Sequence, residues 1–396
     1  MAGGLASKML TGLANIMIIK LLSKEDYAAV SNFQFIQTLM SGLIFSPFLL
    51  SSVLGVNLFG MRNMGRLFSA LNLIQIFLVA VCLLAALIYG EEFAQALFHK
   101  PLFYYPILMG LISSLFLTFQ NIILSSHQAS EAYGSYNLIN VLRPLSLIAL
   151  LTLFYFTGIL NFISAATAFL LSYMLAVFGD LKSLFESLKI KGLIFRLKQF
   201  VWFWKSLRYL ILFFFIRAML DHIARFMVSR YFSVGENAAF GVAFQYYAMA
   251  DLVIYSAHVA FMNIFTLEAE ESARKKYFNW LKIALALSVP ALVILPFSGP
   301  LFSLINGSRY DEAFPVFMVF MAGITVYLCF SPVIYGLAGR KSFKTLFILS
   351  IIALCWQIAM TQWAASVHSL VWMALACVGA RGLIYISSFF LFLRRL

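Results

Sequence analysis

The sequence consists mainly of long, continuously apolar segments separated by short polar breaks that often contain glycine or proline. An apolar segment of about 20 residues is long enough to cross the roughly 30 Å hydrocarbon core of a bilayer. Apolar length and breakers together predict twelve membrane-spanning helices. The predicted spans are 2–22, 32–60, 69–90, 102–125, 135–157 and 159–178 in the first half, and 207–230, 239–266, 277–298, 313–337, 342–364 and 368–393 in the second.

The composition agrees with this class of protein. Of the 396 residues, 63% are hydrophobic and only 11% are charged, whereas soluble domains carry about 25% charged residues. The apolar runs are too long and too continuous for the alternating segments of about 10 residues that build a membrane β-barrel. We therefore expect an all-α polytopic membrane protein.

The net charge of +13 allows two interpretations, a nucleic-acid partner or basic loops at the cytoplasmic surface. If the N-terminus is cytoplasmic, most Lys and Arg residues outside the spans fall on the cytoplasmic side. This asymmetry predicts that both termini are cytoplasmic, and it explains the charge without nucleic acid.

The central segment 179–205 differs from the spans in its pattern. Leu181, Leu184 and Phe185 follow helical spacing, and Lys and Arg residues lie between the apolar positions. This pattern predicts a basic amphipathic helix on the inner leaflet. The helix would link an N-terminal six-helix bundle (1–178) to a C-terminal six-helix bundle (206–396).

The two halves also contain an internal repeat. At a shift of 210, ANIMIIKLLSKEDYAA (14–29) aligns with ARFMVSRYFSVGENAA (224–239), and near a shift of 209, YYPILMG (104–110) aligns with AFPVFMV (313–319). Because six spans separate the copies, both have the same orientation. The expected architecture is two bundles related by pseudo-twofold symmetry around a central cavity, as in many transporters.

Three stretches carry a resemblance to a known family: IIKLLSKEDYAAVSNF, LDHIARFMVSRYFSVGENAAFG, and DEAFPVFMVFMAGITVYL with the following IYGLAGRKS. The chain resembles the multidrug/oligosaccharidyl-lipid/polysaccharide (MOP) exporter superfamily, in particular the Wzx-type flippases of its polysaccharide transporter branch. The resemblance implies that a polyprenyl-pyrophosphate-linked oligosaccharide, such as an O-antigen unit, is flipped across the bacterial inner membrane. It also implies membrane lipids and other polysaccharide assembly proteins as partners. Ala28 departs from the family, where a glycine is common.

Charged residues inside the predicted spans are the main candidates for function. Arg217, Asp221 and Arg225 lie four residues apart and therefore share one helix face. Each such charge costs about 2.5–3.5 kcal/mol at the bilayer centre, so the face must meet protein or a water-filled cavity. It is either an ion-pair ladder or, because one carboxylate cannot neutralise two guanidiniums, a site for the pyrophosphate. Arg381 and Arg143 are candidates for the same role.

Span eight carries a second polar face. Asp251 and His258 are candidates for proton transfer in a coupled cycle, although Asp251 is equally suited to pair with an arginine of span seven. Hydroxyl and amide side chains are candidates for sugar contacts, but in membrane helices they more often bond between helices. The sugar-contact candidates are Asn15, Gln37, Tyr247 and Tyr255. No metal site or cofactor is expected, and a proton or sodium gradient is the candidate energy source.

A drug exporter and a membrane enzyme are the two alternative function classes, and each has its own sequence requirements. A multidrug and toxin extrusion (MATE) exporter is the alternative transporter, but cationic drugs favour an acidic pocket and span one has no Asp or Glu. A membrane enzyme would need a nucleophile or an acid/base cluster, and the sequence contains no HExxH, DxD or GxSxG pattern. We therefore expect a transporter and not an enzyme.

Overall fold

The computed structural model describes residues 2–42, 65–129, 132–188, 193–268 and 270–394, and these residues form helices joined by short turns, without a β-strand. In the first half the helices are α1 (Ala2–Leu21), α2 (Lys24–Gly42), α3 (Gly65–Tyr89), α4 (Glu91–Phe98), α5 (Tyr104–Ala129), α6 (Tyr133–Phe156), α7 (Phe162–Phe178) and α8 (Leu181–Leu188). In the second half they are α9 (Leu193–Tyr231), α10 (Val234–Leu267), α11 (Glu270–Ile294), α12 (Gly299–Asn306), α13 (Phe314–Phe330), α14 (Val333–Gly339), α15 (Phe343–Ser366) and α16 (Leu370–Arg394).

Each of the twelve predicted spans overlaps a helix, the second of them only over 32–42 because 43–60 lies outside the described residues. Six described helical segments are each long and apolar enough to cross a membrane. A seventh results if α3 and α4, which meet at a bend of 111°, form one broken span. The prediction of an all-α polytopic membrane fold is confirmed.

The predicted linker does not end before span seven. α9 is a single helix of 39 residues, about 58 Å long, which is nearly twice the thickness of the hydrocarbon core. The physical reason is visible in its sequence, because no glycine or proline interrupts residues 193–231. The polar residues in the first turns of α9 therefore do not indicate a helix boundary.

The repeat predicted near shift 210 has the same local structure in both copies. At the start of α2, the Ser23 hydroxyl accepts a hydrogen bond from the Asp26 amide at 3.0 Å. At the start of α10, the Ser233 hydroxyl accepts from the Glu236 amide at 3.2 Å, and Glu236 accepts from the Ser233 amide at 2.9 Å. In both turns, therefore, a serine three residues ahead of an acidic residue binds a free backbone amide at the helix N-terminus.

A second repeated element is a corner made of a short helix followed by a 3-10 turn. α4 and the turn Pro101–Phe103 lead into α5 in the first half. α12 and the turn Ser308–Ala313 lead into α13 in the second half. The two aligned prolines, Pro106 and Pro315, both lie in the first turn of the helix that follows, where a missing amide hydrogen is tolerated.

The predicted span 313–337 is divided at Ser331–Pro332 into α13 and α14. Ser331 and Pro332 both keep helical dihedral angles, so the missing backbone donor of the proline, and not a change of conformation, explains the break at this place. Pro144 and Pro290, by contrast, lie inside the uninterrupted helices α6 and α11.

The described residues form two compact units. The first unit contains 2–42, the described part of 65–201, and Ser229–Ala238; the second contains Trp202–Val228 and the described residues from Ala239 onwards. Within the first unit, Ser229 donates to the Asn32 side chain at 2.6 Å, and Arg230 donates to the Leu97 carbonyl at 2.9 Å. Lys100 also donates to the Ser229 carbonyl.

Candidate functional site

The charged residues of the second unit meet at Arg381, near the middle of α16. Its guanidinium forms ion pairs with Asp221 on α9 and, at 3.2 Å, with Asp251 on α10. Arg381 is only 3% exposed. One guanidinium therefore joins three helices and neutralises part of the charge of two carboxylates.

This arrangement differs from the ladder considered for α9, in which Asp221 would pair with Arg217 and Arg225. An exposed pair at this spacing contributes only about 0.3–0.5 kcal/mol. A buried guanidinium left without a carboxylate would cost several kcal/mol. Asp221 forms its ion pair with the buried Arg381 of the facing helix α16. Asp251 likewise pairs with Arg381 and not with an arginine of span seven.

Among the predicted charged residues of the second unit, Arg217, Arg225 and Arg381 carry three positive formal charges, and Asp221 and Asp251 carry two negative ones. Arg217 forms no ion pair with any described residue, and its guanidinium lies 5.8 Å from the centre of the Tyr385 ring. The Arg225 guanidinium lies 4.8 Å from the Phe244 ring centre.

A chain of aromatic rings continues from this cluster through the second unit. Arg381 lies 5.5 Å from the Tyr247 ring and 5.8 Å from the Tyr327 ring. Tyr327 contacts Tyr385 at 5.1 Å, and Tyr385 contacts His258 at 6.4 Å. Cation–π contacts of this kind stabilise a guanidinium that is removed from water.

His258 is 1% exposed, and neither of its ring nitrogens bonds to a described residue. Tyr247 is buried against Arg381, so its ring faces a cation here. The side chain of Tyr255 lies outside the described part of the structure.

The first unit contains an intramembrane arginine in a different setting. Arg143 on α6 donates to the Tyr173 hydroxyl on α7 at 3.0 Å and to the Thr11 hydroxyl on α1 at 2.9 Å. All three residues lie away from the ends of their helices, so these contacts hold the Arg143 guanidinium between the middle parts of three helices. No described carboxylate lies within ion-pair distance of it.

The two predicted sugar-contacting amides of the first unit are buried and bonded to other helices. Gln37 on α2 donates to the Ser113 hydroxyl on α5 at 2.5 Å. Asn15 on α1 accepts from Gln34 on α2 at 3.4 Å. In this structure both side chains connect helices, which is the more common role of amides in membrane proteins.

Sequence reasoning missed Tyr173, Tyr327 and Tyr385 as neighbours of the buried arginines. Tyrosine is common in apolar helices, and no spacing in the sequence connects these residues with charges on other helices. For metal binding, the described residues contain no group of three or more His, Cys, Asp or Glu side chains placed to hold an ion.

No protein-family model matches the chain, and no curated protein matches it. Solved structures match over nearly its whole length. They include a lipid II flippase, MurJ, in an inward closed conformation (16% identity, TM-score 0.73, covering 99% of this chain and 87% of that one). An inward-facing and an outward-facing multidrug resistance MATE family transporter of the MOP superfamily also match (15% and 18% identity, TM-scores 0.71 and 0.62, covering 98% and 99% of this chain and 94% and 92% of theirs).

At such low identities, the similarity establishes the fold. The chain has the fold of MOP-superfamily transporters and is a multi-pass membrane protein. The matched structures are flippases and transporters and not enzymes. They include a lipid II flippase and multidrug resistance transporters, so the fold by itself leaves both transport classes open.

Proposed function

We propose that this chain flips a polyprenyl-pyrophosphate-linked oligosaccharide, such as an O-antigen repeat unit, from the inner to the outer leaflet of a bacterial inner membrane. The two halves would alternate access to the substrate, with both termini in the cytoplasm and other polysaccharide assembly proteins as partners. The observation that carries this proposal is Arg143, an intramembrane guanidinium whose described hydrogen-bond partners are neutral hydroxyls.

The argument is electrostatic. A guanidinium at membrane depth costs several kcal/mol unless an opposite charge or water compensates it. In the second unit two carboxylates compensate Arg381, but in the described part of the first unit no carboxylate reaches Arg143. A pyrophosphate supplies negative oxygens that match the planar guanidinium with paired hydrogen bonds. The substrate would therefore be the counter-ion that the bundle lacks.

We assign different roles to the charged residues of the second unit. Arg217 and Arg225, which lie on one face of α9 with Asp221 midway between them, are further candidates for phosphate contact. Arg381 itself is occupied by Asp221 and Asp251, so its main role in this state is to hold three helices together. Exchange of these partners for phosphate would let substrate binding change the packing of the second unit.

Coupling to an ion gradient is part of the same proposal. We assign Asp251 and His258, which both lie on α10, as the residues that couple transport to an ion gradient, because Asp251 is bonded to Arg381 on α16. The His258 ring contacts the Tyr385 ring at 6.4 Å, and the Arg217 guanidinium lies 5.8 Å from the centre of the same Tyr385 ring. The gradient would be one of protons or of sodium ions.

Drug export is the alternative, because MATE transporters share the fold. A cationic drug needs a carboxylate that is available at membrane depth. α1 contains neither Asp nor Glu, and Asp221 and Asp251 are already paired with Arg381. Sensitivity of a deletion strain to cationic dyes would favour this alternative.

Flipping in proteoliposomes tests the proposal. The probe is a polyprenyl pyrophosphate that carries a fluorescently labelled oligosaccharide, and the readout is the fraction that becomes accessible to an external quencher. Arg143→Ala should abolish flipping, whereas the control Arg274→Ala, at an exposed position, should not change it. Normal flipping by Arg143→Ala at an equal protein amount would overturn the proposal.

A further inference from the structure

The two hydroxyls that accept from Arg143, those of Thr11 and Tyr173, differ in the acceptors of their own hydrogen bonds. Thr11 donates its hydroxyl proton to the Ser7 carbonyl at 2.8 Å, so towards Arg143 it offers a lone pair. Ser7 in turn donates to the Asn140 carbonyl at 2.6 Å. Two of these contacts, from Arg143 to Thr11 and from Ser7 to Asn140, attach α1 to α6, and the bond within α1 connects them.

Tyr173 holds the other part of the guanidinium. Its oxygen accepts from Arg143 at 3.0 Å, and the guanidinium carbon lies 5.2 Å from its ring centre. The Tyr173 hydroxyl proton is not donated to any described residue. A phenol that accepts from a cation is also a better donor, because hydrogen bonds in a chain polarise one another.

The guanidinium retains donors for a ligand. Arginine has five N–H groups, and the described contacts use one on each terminal nitrogen. The remaining N–H groups keep the fork geometry that binds two oxygens of a phosphate. Because Thr11 and Tyr173 hold the plane on two sides, little side-chain freedom is lost when a phosphate binds.

We infer that Arg143, Tyr173 and Thr11 form one oxyanion receptor for the phosphate group nearest the polyprenyl chain. Tyr173 donates its hydroxyl proton to the phosphate that Arg143 binds, and Thr11 is a positioning residue that acts through Arg143. This inference rests on the proposed function and names residues of the same site. The ligand chemistry is a phosphate ester or anhydride, which a lipid-linked diphosphate, a phospholipid headgroup and a free pyrophosphate share.

A purely structural role of the trio makes a different prediction. If Arg143 only connected α1, α6 and α7, loss of the Tyr173 hydroxyl would lower stability without changing affinity for phosphate. Tyr173→Phe keeps the ring and its contact with the guanidinium, so it separates the two roles. Tyr155→Phe is a matched control, since Tyr155 is an exposed tyrosine near the end of the same helix as Arg143.

The experiment measures affinity in nanodiscs for three probes: polyprenyl pyrophosphate, phosphatidylglycerol and inorganic pyrophosphate. Tyr173→Phe should weaken binding of polyprenyl pyrophosphate about tenfold, as expected for one hydrogen bond to a charged group. Tyr155→Phe should not change it. Unchanged affinity in Tyr173→Phe overturns the inference, and an equal loss for phosphatidylglycerol or for inorganic pyrophosphate overturns the assignment to the lipid-linked diphosphate.

Thr11 provides a second variant if Tyr173→Phe fails to fold. Thr11→Val should weaken polyprenyl pyrophosphate binding several-fold, and Thr11→Ser, which keeps the hydroxyl, should restore it. Failure of Thr11→Ser to restore binding overturns the positioning role. If Tyr173→Phe and Thr11→Val bind normally while Arg143→Ala blocks flipping, the inference fails and the proposed function stands. If Arg143→Ala flips normally, the proposed function itself fails.

Discussion

The guanidinium of Arg381 donates to the carboxylate of Asp251 at 3.2 Å and thereby ties α16 to α10 within the second unit. The same guanidinium bonds Asp221 on α9. A network of three charged groups in a membrane helix bundle contributes to stability only while each member keeps its partners. The first prediction concerns what happens when this central residue is removed.

Replacement of Arg381 by Met should lower the free energy of unfolding by about 3 kcal/mol. This is the lower end of the range for breaking a buried pair, because the two Asp side chains are 25% and 28% exposed. The additional changes Asp221→Asn and Asp251→Asn should recover part of the loss. Denaturation of the purified variants checks this, and a single variant as stable as the wild type would contradict the role of the network.

The amides of the first unit should affect stability and not substrate affinity. Gln37→Leu leaves the buried Ser113 hydroxyl without its partner, which should cost about 1 kcal/mol. Adding Ser113→Ala should recover part of that cost. Affinity for the labelled lipid-linked oligosaccharide should stay within twofold of wild type, and a loss of tenfold or more would instead support the sugar contact predicted from the sequence.

The close approach of α14 to the end of α10 should make Gly339 intolerant of a side chain. A methyl group at this position would collide with the backbone carbonyl of Phe265. Gly339→Ala should therefore destabilise the protein by about 1–3 kcal/mol. Gly382→Ala is the matched control, since no heavy atom of the described residues lies within 4 Å of its added methyl group. It should stabilise α16 by about 0.5–1 kcal/mol, and equal effects of both variants would contradict the packing.

Lys100, ahead of the span Pro101–Leu124, should make stability depend on pH. Burial lowers the pKa of Lys100 to about 8, although the nearby Glu236 carboxylate acts in the opposite direction. Between this value and the normal value of 10.5, the unfolded chain binds the proton more strongly, so stability rises with pH across this range. The thermal midpoint of the wild type should therefore rise relative to that of Lys100→Met between pH 7.5 and 10. A constant difference between the two proteins would contradict the lowered pKa.

The fold was predictable from the sequence because its signals are long and repeated. The twelve apolar runs can be recognised even when each boundary is misplaced by a few residues. The same holds for the helix starts at Ser23 and Ser233, where a serine is followed three residues later by an acidic residue. The continuous helix α9 was missed because polarity was taken to mark a boundary. Only the absence of glycine and proline between Leu193 and Tyr231 indicated continuity.

The site was predictable only in its residue types. Helical spacing correctly placed Arg217, Asp221 and Arg225 on one helix, but spacing within a helix says nothing about the facing helix that supplies Arg381. The same limit applies to Arg143. Its position along α6 gives no indication of the Thr11 and Tyr173 hydroxyls on two neighbouring helices to which it donates.

The central claim is that the charge of Arg143 is balanced by the phosphates of the substrate. Binding of three lipids with the same chain, namely polyprenol, polyprenyl phosphate and polyprenyl pyrophosphate, to wild type and Arg143→Gln tests it most directly. The wild type should bind more tightly with each added phosphate, and the variant should bind all three with nearly equal affinity. An equal gain per phosphate in both proteins would contradict the account.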